Sequence, residues 1–151
     1  MNRLVSPGVA LLAVAGCAGA PQEPRVNVDN AVVTVPAVPG GPGAAYFTLR
    51  TNNDPTKLVS VASPAVQRIE LHGSGTQSGM TSMAPLQPGE TSFDPGNPLE
   101  FAPGGKHAML TGVDPALRPG AKVALTFTFD PAPPVTVEAQ VRGPGQADAM
   151  H

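Results

Sequence analysis

The sequence predicts an all-β domain, and three observations lead to this fold class. First, the 151 residues include 19 prolines and 17 glycines, a content that a long-helix or coiled-coil protein cannot accommodate. Second, apolar and polar residues alternate in short runs spaced roughly 8–12 residues apart. Third, turn-forming residues separate these runs, and no stretch shows convincing helical periodicity. Together these features are typical of one β-sandwich or small barrel.

Eight short runs are predicted as strands because each is apolar or alternating and is bounded by turn-forming residues. They cover residues 26–35, 45–51, 57–62, 66–72, 80–86, 106–113, 122–129 and 135–141. The clearest alternation places four apolar side chains on one face, namely Val123, Leu125, Phe127 and Phe129. Stretches rich in Pro, Gly or Ser are predicted as loops or turns, at 36–43, 73–79 and 131–134. Residues 89–105 contain only short apolar pieces.

The N-terminus reads MNRLVSPGVALLAVAGC, a short positive segment and an apolar stretch that is too short to span a bilayer. Its last four residues resemble a bacterial lipobox, which predicts Cys17 as the lipidated first residue of the mature chain. The alternative is an ordinary signal peptide with a chance cysteine. We therefore expect four segments: a lipoprotein signal peptide at 1–16, a lipidated tether at 17–25, the folded domain at 26–142 and a flexible tail at 143–151.

Composition excludes several classes of protein and partner. A single Cys excludes a disulfide scaffold, and a formal net charge of −2 without a basic stripe argues against nucleic-acid binding. The predicted anchor places the protein outside the cytoplasm, attached to a bacterial membrane on the periplasmic or outer side of the cytoplasmic membrane. We expect a monomer that reaches its protein partners by sharing their membrane, because its charge is too small for long-range steering.

The histidines and methionines are clustered. Apart from the initiator Met1, five lie within 72–109 and two end the chain: His72, Met80, Met83, His107, Met109, Met150 and His151. Core methionines normally fill gaps among apolar strand positions. Here Val, Leu, Ile and Phe occupy those positions, so the cluster predicts a binding site.

His107 and Met109 are two residues apart on a predicted strand, so both side chains project from one face, and Ala108 and Leu110 point to the core. His72 ends another strand on its polar face. The loop that follows His72 allows Met83 to return to the same region, so two imidazoles and two thioethers can converge. Taken singly, each of these residues is more typical of packing or of the surface.

The donor types favour a soft metal. Neutral thioether sulfur suits Cu(I), whereas zinc prefers thiolate, imidazole and carboxylate, and calcium prefers oxygen. Because the only Cys is at the lipobox, a blue-copper electron carrier, which needs a thiolate ligand, is nearly excluded.

Three stretches carry a family resemblance: AAYFTLRT at 44–51, VQRIELHGSGTQSGMTSM at 66–83 and FAPGGKHAMLTG at 101–112. Together they resemble the periplasmic copper chaperone family often called PCuAC, whose signature is His, ten residues, Met, a longer interval and His-x-Met. Ten residues separate His72 from Met83, and 23 separate Met83 from His107, slightly more than the family usually has. Ser74 stands where family members often place a methionine.

The resemblance implies a cupredoxin-like β-sandwich of about eight short, mostly antiparallel strands. It implies one Cu(I) bound by His72, Met83, His107 and Met109. It also implies a non-enzymatic carrier that delivers copper to an accepting protein, either the CuA subunit of cytochrome c oxidase or another copper chaperone. Met80, Met150 and His151 are possible auxiliary ligands. The alternative is a β-sandwich lipoprotein that binds no metal and serves as a scaffold or adhesion module.

Overall fold

The computed structural model describes Gly16, Gly19 and residues 25–146, and this part of the chain folds into β-strands without a helix. The strands are β1 (Val26–Thr34), β2 (Gly43–Thr51), β3 (Thr56–Ala62), β4 (Val66–Gln77), β5 (Met80–Pro85), β6 (Ser92–Phe93), β7 (Leu99–Phe101), β8 (His107–Val113), β9 (Lys122–Asp130) and β10 (Val135–Arg142). Within the described residues, no helix is long and apolar enough to cross a membrane. The predicted lipidation site Cys17 and the predicted tail ligands Met150 and His151 lie outside the described residues.

All ten strands belong to one mixed sheet. From edge to edge the order is β5–β4–β8–β2–β1–β10–β9–β3–β6, and β7 pairs separately with β2. The first and last strands of the chain, β1 and β10, lie side by side and parallel. The other pairings are antiparallel, as expected for a domain whose strands are joined by short turns.

The sheet folds over so that two of its parts face each other across a shared core. Phe47 on β2 and Phe127 on β9 are separated in the sheet by β1 and β10, yet their ring centroids are only 4.8 Å apart. Phe101 on β7 stacks against Phe47 at 4.5 Å. The inner faces therefore meet as in a sandwich, and the predicted all-β fold class is confirmed.

Alternation along the strands builds this core. In β9 the four apolar side chains that were expected to share a face, Val123, Leu125, Phe127 and Phe129, are all buried. The same pattern in β2 buries Ala45, Phe47 and Leu49, while the residues between them are half-buried on the opposite face. The outward face of β2 is thereby directed away from the core, where it can contribute to a site.

The structure differs from the sequence expectation in strand number and at residues 73–79. The described residues form ten strands rather than about eight, because the apolar pieces within 89–105 form the very short β6 and β7. The predicted loop at 73–79 is mostly strand, since β4 continues to Gln77 and pairs with β5 as a hairpin. Its two-residue turn, Ser78–Gly79, has φ angles of 52° and 78°. Positive φ at both positions is the type I′ geometry that joins adjacent antiparallel strands.

We predict that Phe127→Ala lowers the free energy of unfolding by about 3–5 kcal/mol, because it leaves a cavity beside Phe47 at the centre of the core. Val38→Ala is the matched control: Val38 is 63% exposed, so its truncation changes stability by less than about 0.5 kcal/mol. Urea unfolding followed by circular dichroism measures both values. Equal losses in the two variants would contradict this account of the core.

Candidate metal centre

The pairing of β4 with β8 places two histidines side by side. His72 and His107 are directly opposite each other in this antiparallel ladder, and paired residues project from the same face. Met109, two residues beyond His107, lies on that face as well and is opposite Ala44 of β2. The intervening Ala108 is fully buried on the core side, which confirms its expected direction.

The β4–β5 hairpin brings the fourth predicted ligand to the same face. Met83 is opposite Ser74, and Ser74 shares its face of β4 with His72. Thr81, two residues before Met83, lies on the same face of β5. Both residues line one cleft with His107 and Met109. The four residues that the sequence predicts as ligands therefore share one face of the sheet.

Met80 belongs to the same hairpin but is directed differently. It lies an odd number of residues from Met83, so its side chain leaves β5 on the opposite face. Met80 is 74% exposed and Met83 is 65% exposed. The structure thus groups Met83 with the histidines and Met109 and places Met80 apart from them.

The two imidazoles are close enough to share one ion. Their ring centroids are 5.9 Å apart and their planes are inclined by 50°. Metal–nitrogen bonds of about 2.0–2.1 Å from two rings can span this separation.

Hydrogen bonding orients His107 for coordination. Its Nδ1 lies 3.2 Å from the carbonyl oxygen of Gly105. Because a carbonyl oxygen only accepts, Nδ1 must donate, which leaves the lone pair on Nε2 available. Metal-binding histidines commonly use one ring nitrogen in this way and bind with the other.

The ring of His72 shows the converse feature. Both Nδ1 and Nε2 are buried, and neither has a hydrogen-bond partner within the described residues. Leaving a buried polar atom unpaired costs about 1–3 kcal/mol, so such atoms are rare unless something else satisfies them. A bound ion would satisfy one of these nitrogens.

An open cleft of about 520 Å³ adjoins this face. Its walls include three of the predicted ligands, together with Ser74 and Thr81 from the hairpin and Tyr46 from β2. Sequence reasoning missed Tyr46. It lies two residues after Ala44, which is opposite Met109, and next to buried Phe47, so it shares the face of the sheet that carries Met109. The segment 36–43, predicted only as a loop, also lines the cleft in part.

The described residues offer few harder donors. Among them, no group of three or more His, Cys, Asp or Glu side chains is placed to hold a metal ion. Glu70 shares the outer face of β4 with His72, but its carboxylate forms an ion pair of 2.8 Å with Arg68. Within the described residues, the two histidines therefore have no cluster of carboxylates or thiols beside them, and the nearby sulfur donors are thioethers.

Comparison with known sequences identifies the family. The sequence model of the LpqE-like lipoprotein family matches residues 26–141, which include all ten strands except the last residue of β10. The chain belongs to this family. A relative from Leifsonia xyli subsp. xyli, the predicted lipoprotein Lxx21020, is 30% identical over 135 residues, which cover 84% of this chain and 81% of the relative.

Comparison with solved structures confirms the fold that the motif resemblance implies. The apo PCuAC domain from PmoF1 superposes with a TM-score of 0.64 at 22% identity, covering 82% of this chain and 98% of that domain. The Cu(I) form of DR1885 from Deinococcus radiodurans superposes with a TM-score of 0.53 at 28% identity, covering 85% of this chain and 83% of the other. The LpqE-like chain therefore has the fold of PCuAC domains.

We predict that the two histidines contribute differently to stability without metal. His107→Phe loses the hydrogen bond to Gly105, which costs about 0.5–1.5 kcal/mol. His72→Phe removes two unpaired buried nitrogens, so the free energy of unfolding is unchanged or higher. Urea unfolding in the presence of a metal chelator measures the difference. A larger loss in His72→Phe than in His107→Phe would contradict the assignment of the unpaired ring.

Proposed function

We propose that this protein is an extracytoplasmic copper carrier that binds one Cu(I) and passes it to an accepting protein. The observation that carries the proposal is the juxtaposition of two imidazoles and two thioethers on one face, with ring nitrogens of His72 that find no partner in the described part of the chain. His72, Met83, His107 and Met109 are the proposed ligands. The solved PCuAC-type structures include a Cu(I) form, that of DR1885, which supports the choice of metal.

The donor set favours Cu(I) over other biological ions. Two thioethers and two neutral imidazoles are soft to borderline donors, which match Cu(I) and suit zinc, calcium or magnesium poorly. Since all four donors are neutral, the loaded site retains the single positive charge of the ion. This charge can be held at the site because the cleft is open to water.

The different exposures of the ligands provide a route for release. His72 is anchored in the ladder between β5 and β8, whereas Met83 stands on the outermost strand and is 65% exposed. An incoming ligand from an acceptor can replace the Met83 sulfur first, and the histidines can hold the ion until a second exchange occurs. The acceptor we propose is the CuA subunit of cytochrome c oxidase or another copper chaperone, and the reaction is ligand exchange without catalysis.

Membrane attachment completes the proposal. The family to which the chain belongs is described as a lipoprotein family, in agreement with the lipobox resemblance at Cys17. Anchoring carrier and acceptor on one membrane raises their effective concentration for exchange.

We predict that Met83→Ala and Met80→Ala separate ligand loss from general effects on the hairpin. In the full chain carrying Cys17→Ser, Met83→Ala weakens Cu(I) binding at least about tenfold, because it removes a donor. Met80→Ala, an equivalent change on the opposite face of β5, leaves the affinity unchanged. Anaerobic competition with a chromogenic Cu(I) chelator gives both affinities.

His107→Ala and Met109→Ala extend the same titration, and each should weaken competition as Met83→Ala does. If the parent protein fails to compete for Cu(I), the carrier proposal is wrong and the scaffold or adhesion alternative is favoured. If Met80→Ala and Met83→Ala have equal effects, Met83 is not a ligand.

We predict that Cys17→Ser abolishes incorporation of a labelled fatty acid in the bacterial host and moves the protein out of the membrane fraction. The reason is that the thiol of Cys17 is the proposed site of lipid attachment, and the preceding apolar stretch is too short to span a bilayer. Ser6→Cys combined with Cys17→Ser is the control, because a thiol elsewhere in the segment restores no labelling. Labelling that persists in Cys17→Ser would show that the lipid is attached elsewhere.

A further inference from the structure

The outer edge of β5 is an unusually bare strand edge. Among the described residues β5 pairs only with β4, and all six of its residues are exposed. Natural edge strands are commonly protected by Lys, by bulges or by covering segments. The whole stretch 73–85 carries no charged residue, and β5 pairs with β4 without a register shift. Proline is present only at its last position, Pro85.

The hairpin register shows which backbone groups point outward. In antiparallel pairs, residues alternate between those bonded to the partner strand and those whose N–H and C=O point away from it. Two hydrogen bonds and one proline show which residues of β5 bond to β4. The N–H of Leu86 donates to the carbonyl of Leu71 at 2.9 Å, so the backbone groups of these two residues point toward each other, between the two strands. Pro85, which has no N–H, comes next, and the N–H of Ser74 points away from β5 to the carbonyl of Gly105 at 3.3 Å.

It follows that Met83, opposite Ser74, directs its own N–H and C=O to the free edge. Thr81, two residues earlier, does the same. The backbone of Met83 thus faces outward within the plane of the sheet, while its side chain faces the cleft.

We infer that this edge is a strand-addition site for a second copy of the same chain. The edge is self-complementary: around a two-fold axis at Ser82, Thr81 of one copy lies opposite Met83 of the other, and each such pair can exchange both backbone hydrogen bonds. No like charges oppose each other in this register, since the hairpin is uncharged. A second copy departs from the monomer expected from the sequence.

The exposure of two methionines on β5 supports a second copy of the chain as the partner. Within the described residues only four large hydrophobic side chains are strongly exposed, and two of them, Met80 and Met83, are on β5. In the two-fold register Met80 of one copy lies opposite Ala84 of the other on the face away from the cleft. Both methionines would then lose contact with water, one on each face of the joined sheet.

The pairing also has a consequence for copper, and this step rests on the proposed function. The two Met83 side chains occupy diagonal positions on one face, at a separation of about 7–8 Å that long side chains can bridge. The most exposed ligand of each site then adjoins the other site. Copper can therefore pass from a loaded copy to an empty one by exchange of thioether ligands.

Cross-linking tests the interface without copper. In the full chain carrying Cys17→Ser, Ser82→Cys is the only thiol, and in the two-fold register its partner is directly opposite at a Cα separation of about 4.5 Å, within disulfide range. Ser92→Cys, an exposed serine on β6 at the other edge of the sheet, is the matched control. Under oxidised glutathione we expect Ser82→Cys to form covalent dimers at least about tenfold faster than Ser92→Cys. Equal rates would overturn the inference.

A second measurement follows copper. Cu(I)-loaded protein is mixed with ¹⁵N-labelled apoprotein, and native mass spectrometry records the transfer of copper to the heavy chain. Ser82→Lys in both copies places like charges opposite each other and should slow exchange about fivefold. Its side chain lies on the face away from the ligands, so Cu(I) affinity should be unchanged.

The outcomes separate this inference from the proposed function. Rapid cross-linking in a protein that binds no Cu(I) supports the interface and contradicts the carrier proposal. Normal Cu(I) affinity with slow cross-linking and unchanged exchange contradicts the interface alone. If Ser82→Lys slows delivery only to a foreign copper acceptor, a different polypeptide occupies the edge, and the second-copy inference is overturned.

Discussion

The antiparallel register between β4 and β8 is the constraint on which the candidate site depends. It pairs His72 with His107 and, at the adjacent position along the two strands, Leu71 with Ala108. Because side chains alternate along a strand, a slip of one residue would turn His107 and Met109 into the core and expose the buried Ala108 and its neighbours. The burial of the core face therefore fixes the position of the proposed ligands. Stability and ligand geometry are two results of the same register.

β4 serves two environments along its length. Its first half, up to Leu71, lies on β8 and contributes to the core, and its second half leaves β8 and forms the exposed hairpin with β5. The change falls at His72, the last residue that pairs with β8 and the first that pairs with β5. This position explains how a histidine ring can be buried and yet belong to a site at the surface. It also explains the Gly- and Ser-rich composition of 73–79, where no core contact selects apolar side chains.

Sequence reasoning predicts those parts of the structure that depend on local alternation. The buried face of β9 and the opposite directions of His107 and Ala108 follow from a period of two, and the structure confirms both the burial of β9 and that of Ala108. It fails at 73–79, where low β-propensity indicates a loop, because the type I′ turn at Ser78–Gly79 and the backbone ladder form strand without apolar side chains in that stretch. Tyr46 was missed since its approach to the cleft depends on the order β8–β2, a long-range pairing that no local pattern specifies.

A carrier must hold its ion and also release it, and the proposed ligands divide these tasks by position. The histidines belong to the paired interior of the sheet, where the hydrogen bond from His107 to Gly105 keeps one ring oriented. Among the residues that the structure describes, the strand of Met83 pairs on one side only, so its sulfur can leave the ion with little change in the core. A thiolate in place of Met83 would bind Cu(I) with charge and would be open to disulfide exchange outside the cytoplasm. A neutral thioether on an exposed edge favours exchange over permanent retention, which is the property that copper delivery requires.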